Sequence, residues 1–111
     1  MEEKKEEILI AGSTESQRKA WKAKRGKLSV LSVETEEGDE KEYVACRPDR
    51  HTRSQVEKYI DKDPMKARKI ILSNCLLTGK EEVTTDDQLF YSVTDTLFEL
   101  MSVPKATLSP L

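Results

Sequence analysis

Apolar residues change their spacing along this chain, and each change marks an element. From Leu28 to Val33 and from Tyr43 to Cys46 they form short β-prone runs, Leu-Ser-Val-Leu-Ser-Val and Tyr-Val-Ala-Cys. Glu36-Glu-Gly-Asp-Glu40 lies between them, a polar turn containing a glycine, so the pattern predicts an antiparallel hairpin. Pro48 ends the second strand. Helical spacing follows: Val56, Tyr59 and Ile60 share a face of a helix that Asp49 or Thr52 can cap. A second helix is predicted over Pro64–Thr78, with Asp63 as cap, Pro64 in the first turn and Gly79 in the left-handed closing position. Thr85-Asp-Asp-Gln88 has the capping-box pattern and opens a last helix running to about Met101, with Pro104 stopping it. Upstream, Ser13 or Thr14 can cap a short helix that reaches Arg25 and ends at Gly26.

The elements add up to an α+β fold: an N-terminal helix and β-hairpin followed by a three-helix C-terminal bundle. Residues 1–13 read as a flexible charged N-terminus, 14–103 as a single domain and 104–111 as a proline-containing tail. The helix over Pro64–Thr78 stands out. Met65, Ala67, Ile70, Ile71, Leu72, Cys75, Leu76 and Leu77 cover most of its circumference, and only Lys66, Lys69 and Ser73 form a polar strip. The last helix carries Leu89, Phe90, Val93, Leu97, Leu100 and Met101 on one stripe, widened by Tyr91 and Phe98. Two explanations stand side by side. The apolar helix is central, flanked by the hairpin and the other helices; or part of this surface meets another chain. On the second, Leu76, Leu77, Phe90, Tyr91 and Phe98 are the residues for partner contact or self-association. Each large side chain gains about 1.5–3 kcal/mol on full burial, so three or four left exposed favour association.

Composition narrows the functional classes. Apolar and charged residues each make up 36% of the chain and the net charge is −2, so no global field draws it to nucleic acid or an anionic membrane. No apolar run approaches the roughly 20 residues a bilayer span needs. The opening Met-Glu-Glu-Lys-Lys-Glu-Glu lacks secretory character, so a soluble, cytoplasmic protein is expected. Charge is nevertheless segregated: Arg18, Lys19, Lys22, Lys24, Arg25 and Lys27 precede Glu34, Glu36, Glu37, Asp39, Glu40 and Glu42. A basic helix beside an acidic hairpin tip, each screening the other, accounts for this.

Candidate chemistry is sparse, and no enzyme, cofactor or metal site is expected. His51 is the single histidine, and a Cys46–His51 nucleophile pair would lack an orienting acid. A surface or capping histidine is the simpler reading. Asp86 and Asp87 could be paired carboxylates, but a helix N-terminus explains them by capping and dipole. Cys46 and Cys75 match no metal or redox spacing and read as reduced, buried small hydrophobes. Trp21 amid six cations is either a stacking platform for nucleic acid or the anchor that docks the first helix on the hairpin.

From Gly26 onward the chain resembles the small tail assembly chaperones of long-tailed bacteriophages and prophages. The resemblance lies in Arg25-Gly-Lys-Leu before the first strand, Tyr43-Val-Ala-Cys-Arg-Pro48, Asp63-Pro-Met-Lys-Ala67, Ile70-Ile-Leu-Ser-Asn-Cys-Leu-Leu-Thr-Gly-Lys-Glu-Glu82 and Asp86-Asp-Gln-Leu-Phe-Tyr-Ser-Val93, with Leu108 and Leu111 in the tail. It covers about three-quarters of the chain and is one of order and pattern. It implies a non-catalytic binding role in the host bacterial cytoplasm, coating the helix-rich tape measure protein and meeting other tail proteins during assembly. Two alternatives remain beside it: a small nucleic-acid-binding regulator using the basic Trp21 segment, and a homo-oligomeric structural protein of the virion.

Overall fold

A computed structural model of the chain describes residues 9–111. Seven elements follow in order: α1 (Glu15–Arg25), β1 (Leu28–Glu34), β2 (Glu40–Cys46), α2 (Arg50–Tyr59), α3 (Pro64–Cys75), α4 (Lys80–Thr85) and α5 (Asp87–Glu99). The α+β class and the expected order hold, with one short helix, α4, added to the C-terminal bundle. The strands pair antiparallel from Leu28↔Cys46 at the base to Glu34↔Glu40 at the tip. Thr35 closes the tip: its N–H donates to the Asp39 carbonyl at 2.7 Å, and its hydroxyl accepts from the Asp39 N–H at 3.2 Å.

Helix starts follow the local chemistry. Thr14, rather than Ser13, caps α1 in a reciprocal capping box with Gln17. Ser13 instead closes a tight turn, with Ile10 and Ser13 exchanging both backbone hydrogen bonds at 3.0 Å and the left-handed pair Ala11 and Gly12 between them. Ala11 and Ser13 are buried, so within the segment read as loose, 1–13, these two side chains are held against the domain; residues 1–8 lie outside the described residues.

Asp49, rather than Thr52, caps α2 by accepting the Thr52 N–H at 2.7 Å. That bond, with the Thr52 hydroxyl second, holds the Asp49 carboxyl below the ordinary carboxylate range. A depressed folded-state pKa means that the cap stabilises the fold above the unfolded value near 3.9 and is lost as pH falls through the folded value. Asp49→Ala should therefore lower stability by about 1 kcal/mol at neutral pH, and its difference from wild type should vanish in acid. Urea titrations at neutral pH and at a pH well below the unfolded carboxylate value check this; equal midpoints at neutral pH would remove the cap from the account.

The C-terminal half of the apolar segment departs from expectation. α3 stops at Cys75, not Thr78, and Leu76 is extended (φ −84°, ψ 123°). The reason is the open edge of β2. Leu76 pairs antiparallel with Ala45, the Leu77 N–H donates to the Val44 carbonyl at 2.8 Å, and the Val44 N–H donates to Thr78 Oγ1 at 2.9 Å. Three residues thus act as a short third strand that satisfies edge groups a longer helix would have left unpaired. Thr78 also donates its hydroxyl to the Ala11 carbonyl at 2.9 Å, which fastens the N-terminal turn. Gly79 then heads α4 rather than closing α3.

The expected capping box at Thr85 also gives way. Thr85 ends α4, and its hydroxyl donates back to the Glu81 carbonyl at 3.0 Å. Asp86 takes over as the cap of α5, accepting from the Gln88 and Leu89 N–H groups at 3.0 and 3.2 Å. One core results. Leu31, Tyr43, Ala45 and Cys46 of the hairpin meet Val56 of α2, Ala67, Ile71, Leu72 and Cys75 of α3, Val83 of α4, and Phe90, Val93 and Leu97 of α5. Among the described residues no helix is long and apolar enough to cross a membrane.

Candidate functional site

Packing divides the five sequence-nominated contact residues. Leu76 is fully buried in its strand-like pairing and Phe90 is nearly so, and both belong to the core of the single chain. That corrects the nomination of Leu76 as a surface contact, because the β2 edge consumes it, whereas Phe90 packs in the α3–α5 seam and keeps a small part of its surface open between those helices. Leu77 and Phe98 are half-buried at the rim of the core, while Tyr91 is 44% exposed. The apolar surplus of α3 is thus mostly internal, and what stays open is narrower than the sequence suggests.

What stays open is a groove of about 550 Å³ between α3 and the α4–α5 corner. Met65, Lys69 and Leu72 form its α3 wall at one-turn spacing, with Ser73 beside them. Thr84 of α4 and Asp87, Phe90 and Tyr91 of α5 form the opposite wall. Met65 is 38% exposed, whereas Leu72 and Phe90 make a buried apolar floor. Phe90 and Tyr91 meet edge to face with ring centroids 5.6 Å apart, so the buried ring supports the exposed one. Lys69 and Asp87 place opposite charges on the two walls, so an amphipathic occupant meets both apolar surface and an oriented pair of charges.

Arg68 holds this arrangement together. Its guanidinium carbon lies 4.8 Å from the Tyr91 ring centroid and 5.7 Å from that of Phe98. Its Nη1 donates to Thr94 Oγ1 at 2.7 Å and to Asp95 Oδ1 at 2.6 Å. The exposed Asp95 contributes little as an ion-pair partner; stacking between two rings while donating to α5 is what ties α3 to α5. Lys at this position keeps the charge and loses the planar group that lies over the two rings while donating to Thr94 and Asp95. Arg68→Lys is expected to lower stability by about 1–2 kcal/mol, read from the urea midpoint, and an unchanged midpoint would show that the stack is idle. Sequence reasoning missed Met65, Arg68 and Lys69 as a group, although their i, i+3, i+4 spacing was visible.

The remaining candidates separate in space. Cys46 is fully buried while His51 is exposed in the first turn of α2, so the two are not paired. Cys46 lies instead opposite Cys75, because the Ala45↔Leu76 bridge sets their neighbours side by side; both thiols are free and buried. The contact between the two thiols holds Cys46 below the ordinary thiol range against the opposing effect of burial, while the same contact and burial push Cys75 up. Only one of the pair can ionise at a time. Cys46 Sγ also lies 3.6 Å from the Asn74 carbonyl oxygen, whose other donor is Arg25 Nη2 at 2.7 Å, so the end of α1 is tied to the end of α3.

Trp21 is half-buried on α1 and lies outside a recess of about 380 Å³ at the base of β1 that Arg18, Lys19, Lys22 and Lys27 line together with Glu15 and Leu28. The acidic residues Glu34, Glu36, Asp86 and Asp87 line another of about 460 Å³ at the hairpin tip, where Gln88 Nε2 donates to Glu36 at 2.9 Å. Six residues of strand, about 20 Å, separate base from tip. The basic helix and acidic tip therefore do not screen each other as the sequence suggests.

Neither a protein-family model nor a curated protein matches the chain. A solved structure does: that of the uncharacterised protein rbstp2171 from Bacillus stearothermophilus is similar over 84% of this chain and 99% of its own, with a TM-score of 0.57 and 20% sequence identity. At that identity the likeness speaks to the fold alone: another chain arranges a hairpin and helices in the same way.

Proposed function

We propose that this protein is a non-catalytic tail assembly chaperone of a long-tailed phage or prophage, working in the host bacterial cytoplasm, and that it shields an apolar helical face of the tape measure protein in the α3–α5 groove. The observation that carries the reading is the open groove itself, with an apolar floor, Met65 and Tyr91 exposed at 38% and 44%, and one charge on each wall. Helix-in-groove recognition needs those parts: anchors one turn apart on the client enter the apolar floor, and rim charges set direction. The resemblance of the α3–α5 sequence to tail assembly chaperones supplies the identity of the client. Two or three anchors per copy give modest affinity, and many copies along a long client supply avidity while leaving each contact reversible.

Co-expression with a helix-rich phage tape measure protein tests the reading. The client should be recovered soluble and in complex with wild type, and Met65→Glu with Tyr91→Ser should release it while the variant stays folded. A client equally soluble alone, with no complex formed, sinks the proposal.

The basic recess favours a second reading, a nucleic-acid-binding role. Trp21 fluorescence titrated with single-stranded and duplex oligonucleotides at low salt should then change, with affinity falling steeply as salt rises. A flat response removes it.

A further inference from the structure

Past Met101 the segment Ser102-Val-Pro-Lys-Ala-Thr-Leu-Ser-Pro-Leu111 forms no helix or strand, and Val103, Leu108 and Leu111 stand in solvent with Leu108 and Leu111 fully exposed. Pro104 and Pro110 fix their own backbone near the polyproline II angle and bias the residues before them to extended geometry. That helix has three residues per turn, about 3.1 Å each. When the segment docks in that geometry from Pro104 to Pro110, Lys105, Leu108 and Leu111, which are three apart, fall along one edge at intervals of about 9 Å. Aromatic-lined grooves take segments of this kind. Here Tyr91, Phe90, Met65 and Leu72 offer the apolar surface, and Asp87 on the α5 wall offers the counter-charge for Lys105.

We infer that the 102–111 segment of one copy docks in the α3–α5 groove of a second copy, with Leu108 and Leu111 on the apolar floor and Lys105 beside Asp87. The direction of the chain argues against docking in the same copy. The groove flanks the first turns of α5, and the tail leaves from the far end, where Arg53 of α2 donates to the Met101 carbonyl. Phe90 lies about 16 Å back along the helix from Met101. Returning requires a reversal between Ser102 and Pro104, where Pro104 biases Val103 to extended geometry and so opposes a tight turn. Tail and groove are different surfaces, so the contact is head-to-tail and can extend to a third copy. An amphipathic client helix and a neighbour's tail then compete for one groove, so copies without a client cap one another. The inference rests on the groove being a docking face and holds whatever the client is.

Sedimentation velocity on the full chain tests it. Wild type should associate as concentration rises. Leu108→Ser with Leu111→Ser, in a segment that supports nothing else, should weaken association at least roughly tenfold, as should Met65→Ser with Tyr91→Ser. Mixed in equal amounts, the tail variant and the groove variant should form a heterodimer and nothing longer, because the mixture holds only one kind of intact contact. A synthetic peptide of residues 102–111 in excess should dissolve wild-type assemblies. Wild type monomeric at every concentration, a tail variant that associates like wild type, or assemblies indifferent to the peptide would each overturn the inference. Client capture measured on the same variants keeps the two ideas apart: a tail variant that binds client and does not self-associate supports both, and a wild type that binds client as a strict monomer overturns this one alone.

Discussion

Gly79→Ala should destabilise the protein by roughly 2–5 kcal/mol, enough to unfold a marginal domain of this size at ordinary temperature. Two separate effects add at this position. Gly79 sits at φ +71°, a left-handed conformation that a side chain makes costly. A Cβ there would also lie 2.3 Å from Cε1 and 2.4 Å from Cδ1 of Tyr43. Tyr43 cannot step aside, because its ring is 3% exposed within the core and its hydroxyl already lacks a hydrogen-bond partner. Burial pushes that phenol up, as expected for a hydroxyl held away from water. Gly38 isolates the conformational part: it has φ +89° with nothing near its absent Cβ, and Gly38→Ala should lose only about 1 kcal/mol. Adding Tyr43→Leu to Gly79→Ala should recover part of the loss, with a coupling of about 0.5–3 kcal/mol between two residues in contact. Urea denaturation of wild type, the Gly79→Ala, Gly38→Ala and Tyr43→Leu variants and the double variant decides it. A Gly79 variant no worse than the Gly38 variant would mean that the Tyr43 ring and the α4 entry do not meet.

Gly79 also shows why part of this fold was legible and part was not. Its preference for left-handed geometry was readable, and the structure uses that geometry. The element it serves was not readable, because a glycine between two helical patterns can close the first or open the second. Asn74-Cys-Leu-Leu-Thr78 continues the helical spacing, and only the unsatisfied edge of β2 draws Leu76–Thr78 into an extended path. That demand is tertiary, and no local propensity encodes it. The cap at Asp86 was hidden likewise: Thr85-Asp-Asp-Gln88 reads as one capping box until α4 claims Thr85. Short-range signals fared better. The Glu-Glu-Gly-Asp-Glu turn, the Asp63-Pro64 start and the Gly26 stop each depend on a few neighbouring residues and each sit where read. The groove was half-legible. Tyr91 and Phe90 were nominated, but which apolar residues lie on the surface depends on how α3 and α5 cross, and periodicity gives a face without giving its neighbour.

Leu76→Ala is the sharpest measure of that distinction, and it should lose about 2–5 kcal/mol of stability. A side chain read from sequence as a partner contact is fully buried here, beneath a strand-like segment whose backbone pairs with Ala45. Truncating it leaves a cavity beside Cys46, Cys75 and the α3 terminus, with no route for the backbone to close without breaking the Leu77–Val44 hydrogen bond. Tyr91→Ser should behave differently. It removes a rim ring that stacks on Arg68 and Phe90, at roughly 1 kcal/mol, and it should weaken docking out of proportion to that loss. Both substitutions would lower client capture in a cell, so capture alone confuses a damaged fold with a damaged surface. Thiol labelling separates them. Cys46 and Cys75 are closed to solvent, and their reaction should speed up in Leu76→Ala in step with the lower urea midpoint while remaining close to wild type in Tyr91→Ser. A Leu76→Ala protein with protected thiols, an unchanged midpoint and poor capture would return Leu76 to the surface and with it the broader partner face that the sequence suggested.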